Sequence, residues 1–253
     1  MLALSSCGKK DASPSHGAAS SPAAAAETRD PWPSVAPLIA GTYTGGCMRV
    51  PQMDTVDARI VLGLDGKVTA PDTSFDVRKA QLITLTRETA ASGARAGAML
   101  SMDAEKGPIL NLLDTGKPDG AGAALIAGDK QLSCPKGAPL DKLRSQPLHK
   151  ALAQLVESPE RSIKCVDVAT KMSWKDTPFK LAGGVLTLGN ETFDLNHADL
   201  ETLMIVASED QVTYAARMPN GPMLHVSYTL AGKLIAIQGQ AGKGLSHACQ
   251  REV

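Results

Sequence analysis

The sequence predicts a β-rich α+β protein, built as a tandem duplication of a helix plus an antiparallel β-meander. Three observations predict it. Landmarks recur at one spacing: Cys47 and Cys165, Asp65 and Gly183, and Phe75 and Phe193 each stand 118 positions apart. Gly107-Pro108 and Gly221-Pro222 then precede Cys134 and Cys249 in the same order. Fixed-period self-similarity marks two copies of one folding unit. Short apolar runs separated by Gly, Pro and Asp fill most of each copy, the pattern of strands joined by tight turns. Aromatic residues make up only 3 % of the 253-residue chain, so its cores must be built from Ala, Val, Leu and Ile.

The elements follow in order. Trp32, Val35, Leu38 and Ile39 form an apolar stripe ahead of Cys47, but Pro33 and Pro37 limit it to a short or broken helix. In the second copy Leu148, Ala151, Leu152, Leu155 and Val156 lie on one stripe of a helix begun near Pro147, with His149 on its polar side. Residues 58–64 and 67–70 read as a hairpin around Asp65-Gly66, a pair suited to a type I′ turn. Residues 179–182 and 185–188 repeat it around Gly183-Gly184. Strands are further expected at 82–86, 96–102, 109–113 and 123–126, mirrored at 203–207, 212–218, 223–230 and 234–238. Whether each meander closes into a barrel is left open by the sequence. The repeated pairs Phe75-Asp76 and Phe193-Asp194 read as a core ring followed by a carboxylate that caps a turn or helix start.

Near the start, Leu4-Ser5-Ser6-Cys7-Gly8 resembles the lipobox of bacterial lipoproteins, whose cysteine is lipidated and becomes the mature N-terminus. Residues 1–7 are then the remnant of a signal, too short for its charged and apolar regions, so the reading frame is expected to begin upstream. The resemblance implies a periplasmic protein anchored through Cys7, and Gly8 after the cysteine looks like the outer-membrane sorting case. Residues 8–33, rich in Ser, Ala and Pro, read as a disordered tether. The two units then occupy 34–138 and 139–253.

Setting Cys7 aside leaves four cysteines, one near each end of each copy. An even set in an exported protein reads as disulfides. Three connectivities exist, and the duplication favours Cys47 with Cys134 and Cys165 with Cys249, one staple per unit. Zinc is disfavoured because no two cysteines stand at C-x₂₋₄-C spacing.

Charge balance, 26 basic against 26 acidic residues, removes the footprint of a nucleic-acid binder. The chain lacks a G-x-S-x-G elbow, an H-E-x-x-H helix and a phosphate loop. No metal or cofactor is expected. His197, Asp199 and His225 are the residues from which a hydrolase site would have to be built, but nothing in their spacing brings them together.

The first copy carries about four extra residues between its Phe and Gly-Pro landmarks, placed at 88–95 as an enlarged loop. Loops of this kind are where recognition is commonly added to a scaffold. Ala91-Ser92-Gly93-Ala94-Arg95 resembles the Ser-Ala-Ser-Gly-Ala-Arg-Tyr loop of the periplasmic and membrane-bound C-type lysozyme inhibitors, small disulfide-bonded β-barrels that insert this loop into the lysozyme cleft. Ala96 replaces the tyrosine, and the second copy has no counterpart at Ser208-Glu209-Asp210. The resemblance implies that Ser92, Gly93 and Arg95 contact a protein partner. The resulting expectation is a non-enzymatic inhibitor or immunity lipoprotein directed at a cell-wall or envelope-targeting enzyme. The alternatives are an assembly lipoprotein of an envelope complex and a periplasmic hydrolase.

Overall fold

The structure is a computed structural model that describes residues 30–90, 93–103, 107–137, 140–167, 174–219, 221–240 and 247–250. It is a β-rich α+β fold with two disulfides, Cys47–Cys134 and Cys165–Cys249. The first unit opens with α1 (Trp32–Ile39) and continues through β1 (Gly41–Thr44), β2 (Cys47–Val50), β3 (Asp54–Val56), β4 (Ile60–Leu62), β5 (Lys67–Ala70) and β6 (Thr73–Asp76). A meander follows: β7 (Leu82–Ala90), β8 (Gly93–Ser101), β9 (Ile109–Asp114), β10 (Ala121–Ala127) and β11 (Lys130–Cys134), then the short β12 (Lys136–Gly137).

The second unit begins with three short helices, α2 (Asp141–Ser145), α3 (Leu148–Ala151) and α4 (Ala153–Val156). Its strands are β13 (Ser158–Asp167), β14 (Lys175–Ala182), β15 (Val185–Leu188), β16 (Glu191–Asp194), β17 (Leu200–Val206), β18 (Gln211–Arg217), β19 (Met223–Thr229), β20 (Leu234–Gln240) and β21 (His247–Gln250). Sixteen of the strands form one antiparallel sheet that runs from β16 to β3, and β12-β1-β4-β5-β6 form a second sheet. The first disulfide joins β2 to β11 and the second joins β13 to β21, so each links an early strand to the last strand of the meander that follows it.

The sheets of the two units meet edge to edge at β7 and β17. Leu85 lies opposite Leu203 and Ile83 opposite Ile205. Leu85 and Leu203 are themselves 118 positions apart, so the seam is a local two-fold that brings like positions together, as in an isologous interface. Local detail recurs at the same spacing. Val77 and Leu195 each donate a backbone hydrogen bond to a turn glycine, Gly66 and Gly184, at 2.8 Å. Asp76 and Asp194 each cap a single 3₁₀ turn, accepting from the backbone N–H of Arg78 and Asn196 at 3.0 Å. The Arg78 side chain also bonds Asp76 and holds its carboxyl down at about 2, against an ordinary 3.8. Asp76→Ala is expected to lose about 0.5–2 kcal/mol of stability, read as a lower urea midpoint, and Asp194→Ala to lower the same midpoint. Both Phe75 and Phe193 are half-buried, so these rings sit at the margin of the core rather than in its centre.

Several local expectations need correction. The helix expected from 148 to 156 is broken at Leu152 (φ −118°), whereas the proline-bearing α1 runs unbroken for eight residues. Its prolines are tolerated because Pro33 lies in the first turn, where helix N–H groups lack internal partners anyway, and Pro37 removes only one bond. Gly183-Gly184 has positive φ at both residues, as a type I′ turn requires, but of Asp65-Gly66 only Gly66 does. That first turn instead spans residues 63–66, with Gly63 N–H bonded to the Lys67 carbonyl and Asp65 Oδ1 accepting from Lys67 N–H.

The core is aliphatic, as composition demands, with all three tyrosines added to it. Tyr43 and Tyr228 hydroxyls donate to the carbonyls of Ile39 and Val156 at the C-terminal ends of α1 and α4. Each tyrosine therefore satisfies an orphan helix carbonyl while its ring fills the core, and burial pushes both phenols well up.

Candidate partner-binding surface

Of the stretch expected as an enlarged loop, residues 88–90 and 93–95 are strand instead. They lengthen a hairpin: β7 and β8 are nine residues each and pair continuously from Leu82↔Ser101 to Ala90↔Gly93, whereas β17 and β18 are seven each. The neighbouring strands stop short of its end. On one side β17 pairing ends at Glu88, with one further bond from Thr89 N–H to the Asp199 carbonyl. On the other side β9 pairing ends at Ala96. The tip therefore projects beyond the sheet that holds its base.

Gly93 takes φ +125° with nothing within 4 Å of where a Cβ would stand. Arg95 is exposed, and its Nε lies 3.9 Å from Glu88, which also faces Arg217 at 3.7 Å. Ion pairs this exposed contribute little to stability, so Arg95 is available to a partner. Ser92 lies outside the described residues, as do Cys7 and the tether up to residue 29.

The hairpin is braced close to its described end. Gly116 lies against the hairpin so closely that a Cβ there would come 2.6 Å from the Ala94 carbonyl, and its φ of +74° also favours glycine. Beside it opens a pocket of about 400 Å³ whose lining includes Asp114, Lys117, Asp119, Lys136 and Arg144. Asp114 is buried; its Oδ1 accepts from Gly116 N–H at 2.7 Å and lies 3.6 Å from Arg144.

Behind the hairpin sits a buried cluster that the sequence reading missed. Glu201 is fully buried and stands directly across the seam from Arg87, 3.3 Å away. Its carboxylate also accepts from Leu148 N–H at 2.9 Å, His149 N–H at 3.2 Å and the Tyr214 hydroxyl at 2.8 Å, with His149 Nδ1 at 2.8 Å. His149, expected on the polar side of its helix, is instead buried here, because its ring bonds Glu201. Burial by itself would raise the Glu201 pKa, but the bonds from His149, Leu148 and Tyr214 outweigh it and hold the carboxyl below its ordinary value. Arg87 also donates to the Arg144 carbonyl at 2.9 Å. One network thus ties the hairpin strand of the first unit to the helices and sheet of the second.

A signal for Glu201 was present in the sequence. It alternates with Leu203 and Ile205 on the buried face of β17, and the residue 118 positions earlier is Ile83. A carboxylate at an inward, otherwise aliphatic position demands partners.

The residues considered for hydrolysis are not gathered. His197 Nδ1 is exposed and engages Asp194 at 2.9 Å, while Asp199 donates its N–H to the Arg217 carbonyl. His225 stands on β19 between Ala215 and Gln238, with its pKa lowered by burial. Among the described residues no group of three or more His, Cys, Asp or Glu is placed to hold a metal ion.

Fold and surface together define a β-rich α+β protein with two disulfides, large antiparallel sheets and a long β7–β8 hairpin. Compared with protein-family models, curated proteins and solved structures, the chain matches none of them.

Proposed function

We propose that this protein is an envelope-anchored periplasmic binding protein: an inhibitor or immunity protein that blocks a cell-wall or envelope-targeting enzyme and is held at the outer membrane through a lipidated Cys7. The observation that carries this reading is the β7–β8 hairpin, whose pairing runs past both neighbouring strands while Gly116 packs close against Ala94 near its end and the Arg87–Glu201 network ties β7 to β17. Inhibition by surface contact needs a stiff element, because a segment ordered before binding costs less on association. Two disulfides and continuous strand pairing supply that stiffness. Gly93 at the tip allows close approach, and Arg95 offers a planar, multidentate donor. No catalytic group takes part; the tip occupies the partner's cleft.

The double variant Ser92→Ala/Arg95→Ala is expected to weaken partner binding by at least about tenfold while leaving Tm unchanged, since the Arg95 side chain is exposed and its ion pair with Glu88 contributes little. Titration calorimetry with the captured enzyme, beside a thermal melt, measures both. Unchanged affinity would remove the hairpin as the contact.

A further inference from the structure

At one of the places where the correspondence between the units fails, the difference shapes a cavity. In the second unit the ten-residue β13 carries the chain unbroken, pairing with β14 on one side and β21 on the other. The equivalent stretch of the first unit is interrupted by Gly45-Gly46, with φ of +96° and +75°. A side chain at Gly45 would also press on Lys136, 2.7 Å from its Cγ. The break sends β1 into the small sheet and β2 into the large one.

Where the sheets part, a groove of about 710 Å³ opens between β2–β3, the β5–β6 turn and β10–β11. Val56, Ala58, Ala70, Pro71, Leu125 and Leu132 give it apolar walls. Its charges are uneven. Asp57, Asp72 and Asp129 line it as exposed acids, while Arg49 is already held by Asp54 in a two-point salt bridge and also feels Asp72. Lys130 is the other cation of the lining. Ala58, Ala70 and Pro71 also border an adjoining depression, which holds Arg59.

We propose that this groove binds an amphiphile with an apolar body and one cationic head. The volume falls within the range of about 300–1,000 Å³ usual for small-molecule sites. The walls supply the hydrophobic contribution, and the acids at the mouth, in excess over uncommitted cations, select the sign of the head group. The site stands apart from the hairpin surface and does not depend on the partner reading.

The test uses the full oxidised chain and three twelve-carbon probes below their micelle concentrations: dodecylammonium, dodecyl maltoside and dodecyl sulfate. Calorimetry is expected to show one site that takes dodecylammonium about tenfold or more tighter than dodecyl sulfate. Asp57→Asn/Asp129→Asn, which changes only exposed side chains, should erase most of that preference and leave dodecyl maltoside binding as it was. Ala58→Trp should fill the groove and abolish binding of all three, with Arg95→Ala as the unaffected control. Equal affinity for the ammonium and the sulfate overturns the proposal. So does binding that survives Ala58→Trp in a protein whose melt shows it folded, or the absence of binding by any probe.

Discussion

Replacing Glu201 with alanine is expected to destabilise the protein by about 3 to 5 kcal/mol, the range for removing one partner of a buried ion pair. The variant leaves Arg87, mostly buried, without its carboxylate and orphans the N–H groups of Leu148 and His149 together with the Tyr214 hydroxyl. Each orphan adds a desolvation cost. Because the network spans the β7–β17 seam, the loss should appear as cooperative weakening of both units rather than fraying of one. Guanidinium unfolding followed by far-UV circular dichroism and by tryptophan fluorescence checks it, and a loss below 1 kcal/mol would show that the network does not hold the seam.

The same group sets a pH dependence. Its folded-state pKa is depressed, so its contribution is fully present above the unfolded value of about 4.3 and is lost as pH falls through the folded value. Asp54, Asp76 and Asp194 are depressed as well. The measurement that isolates Glu201 is therefore the stability difference between wild type and Glu201→Gln, expected to be largest at neutral pH and to shrink in acid below about pH 4. A difference that stayed constant down to pH 2 would contradict the depressed value.

Opening the disulfides should have an effect of similar size. The bridges close loops of 87 and 84 residues, for which the chain-entropy relation gives about 4 to 5 kcal/mol each, with measured losses for native bridges of about 2–5 kcal/mol. Cys47→Ser/Cys134→Ser and Cys165→Ser/Cys249→Ser are expected to lower stability to nearly the same extent, since the loops are nearly equal. The second pair should in addition release β21, which is four residues long and held by four pairs to β13 and two to β20. Hydrogen exchange would report that release as lost protection confined to β13, β20 and β21. Full retention of stability after reduction would contradict the staple account.

What the sequence made legible was whatever spacing or local chemistry decides. The cysteine pairing followed from duplicated positions, and the capping role of Asp76 and Asp194 from a carboxylate two residues ahead of the amide it accepts from. The eight strands expected in the meanders are present, with ends displaced by a few residues. What tertiary pairing decides was hidden. β13 carries Pro159 and several charges and shows no apolar run, yet it forms because strands on both sides pair with it. α2 was missed because five residues around Leu143 are too few to show a period. The burial of His149 depends on Glu201, which it meets 52 residues away in sequence, and Arg87 reaches the same carboxylate from across the seam. For the candidate surface, the position of the insertion was readable but its form was not. Thr89, Ala90, Gly93 and Ala94 suggest a loop, and only the cross-strand pairing makes them strand.

In the proposed function, the β7–β8 hairpin is the contact that blocks an envelope enzyme. Its most direct test is affinity capture of periplasmic and secreted proteins on the full oxidised chain, run in parallel on Ser92→Ala/Arg95→Ala. The wild type is expected to retain a peptidoglycan or envelope hydrolase and inhibit it with one-to-one stoichiometry, and the variant to lose both properties. Capture of envelope assembly components alone, or of a hydrolase that the variant holds and inhibits equally well, would contradict it.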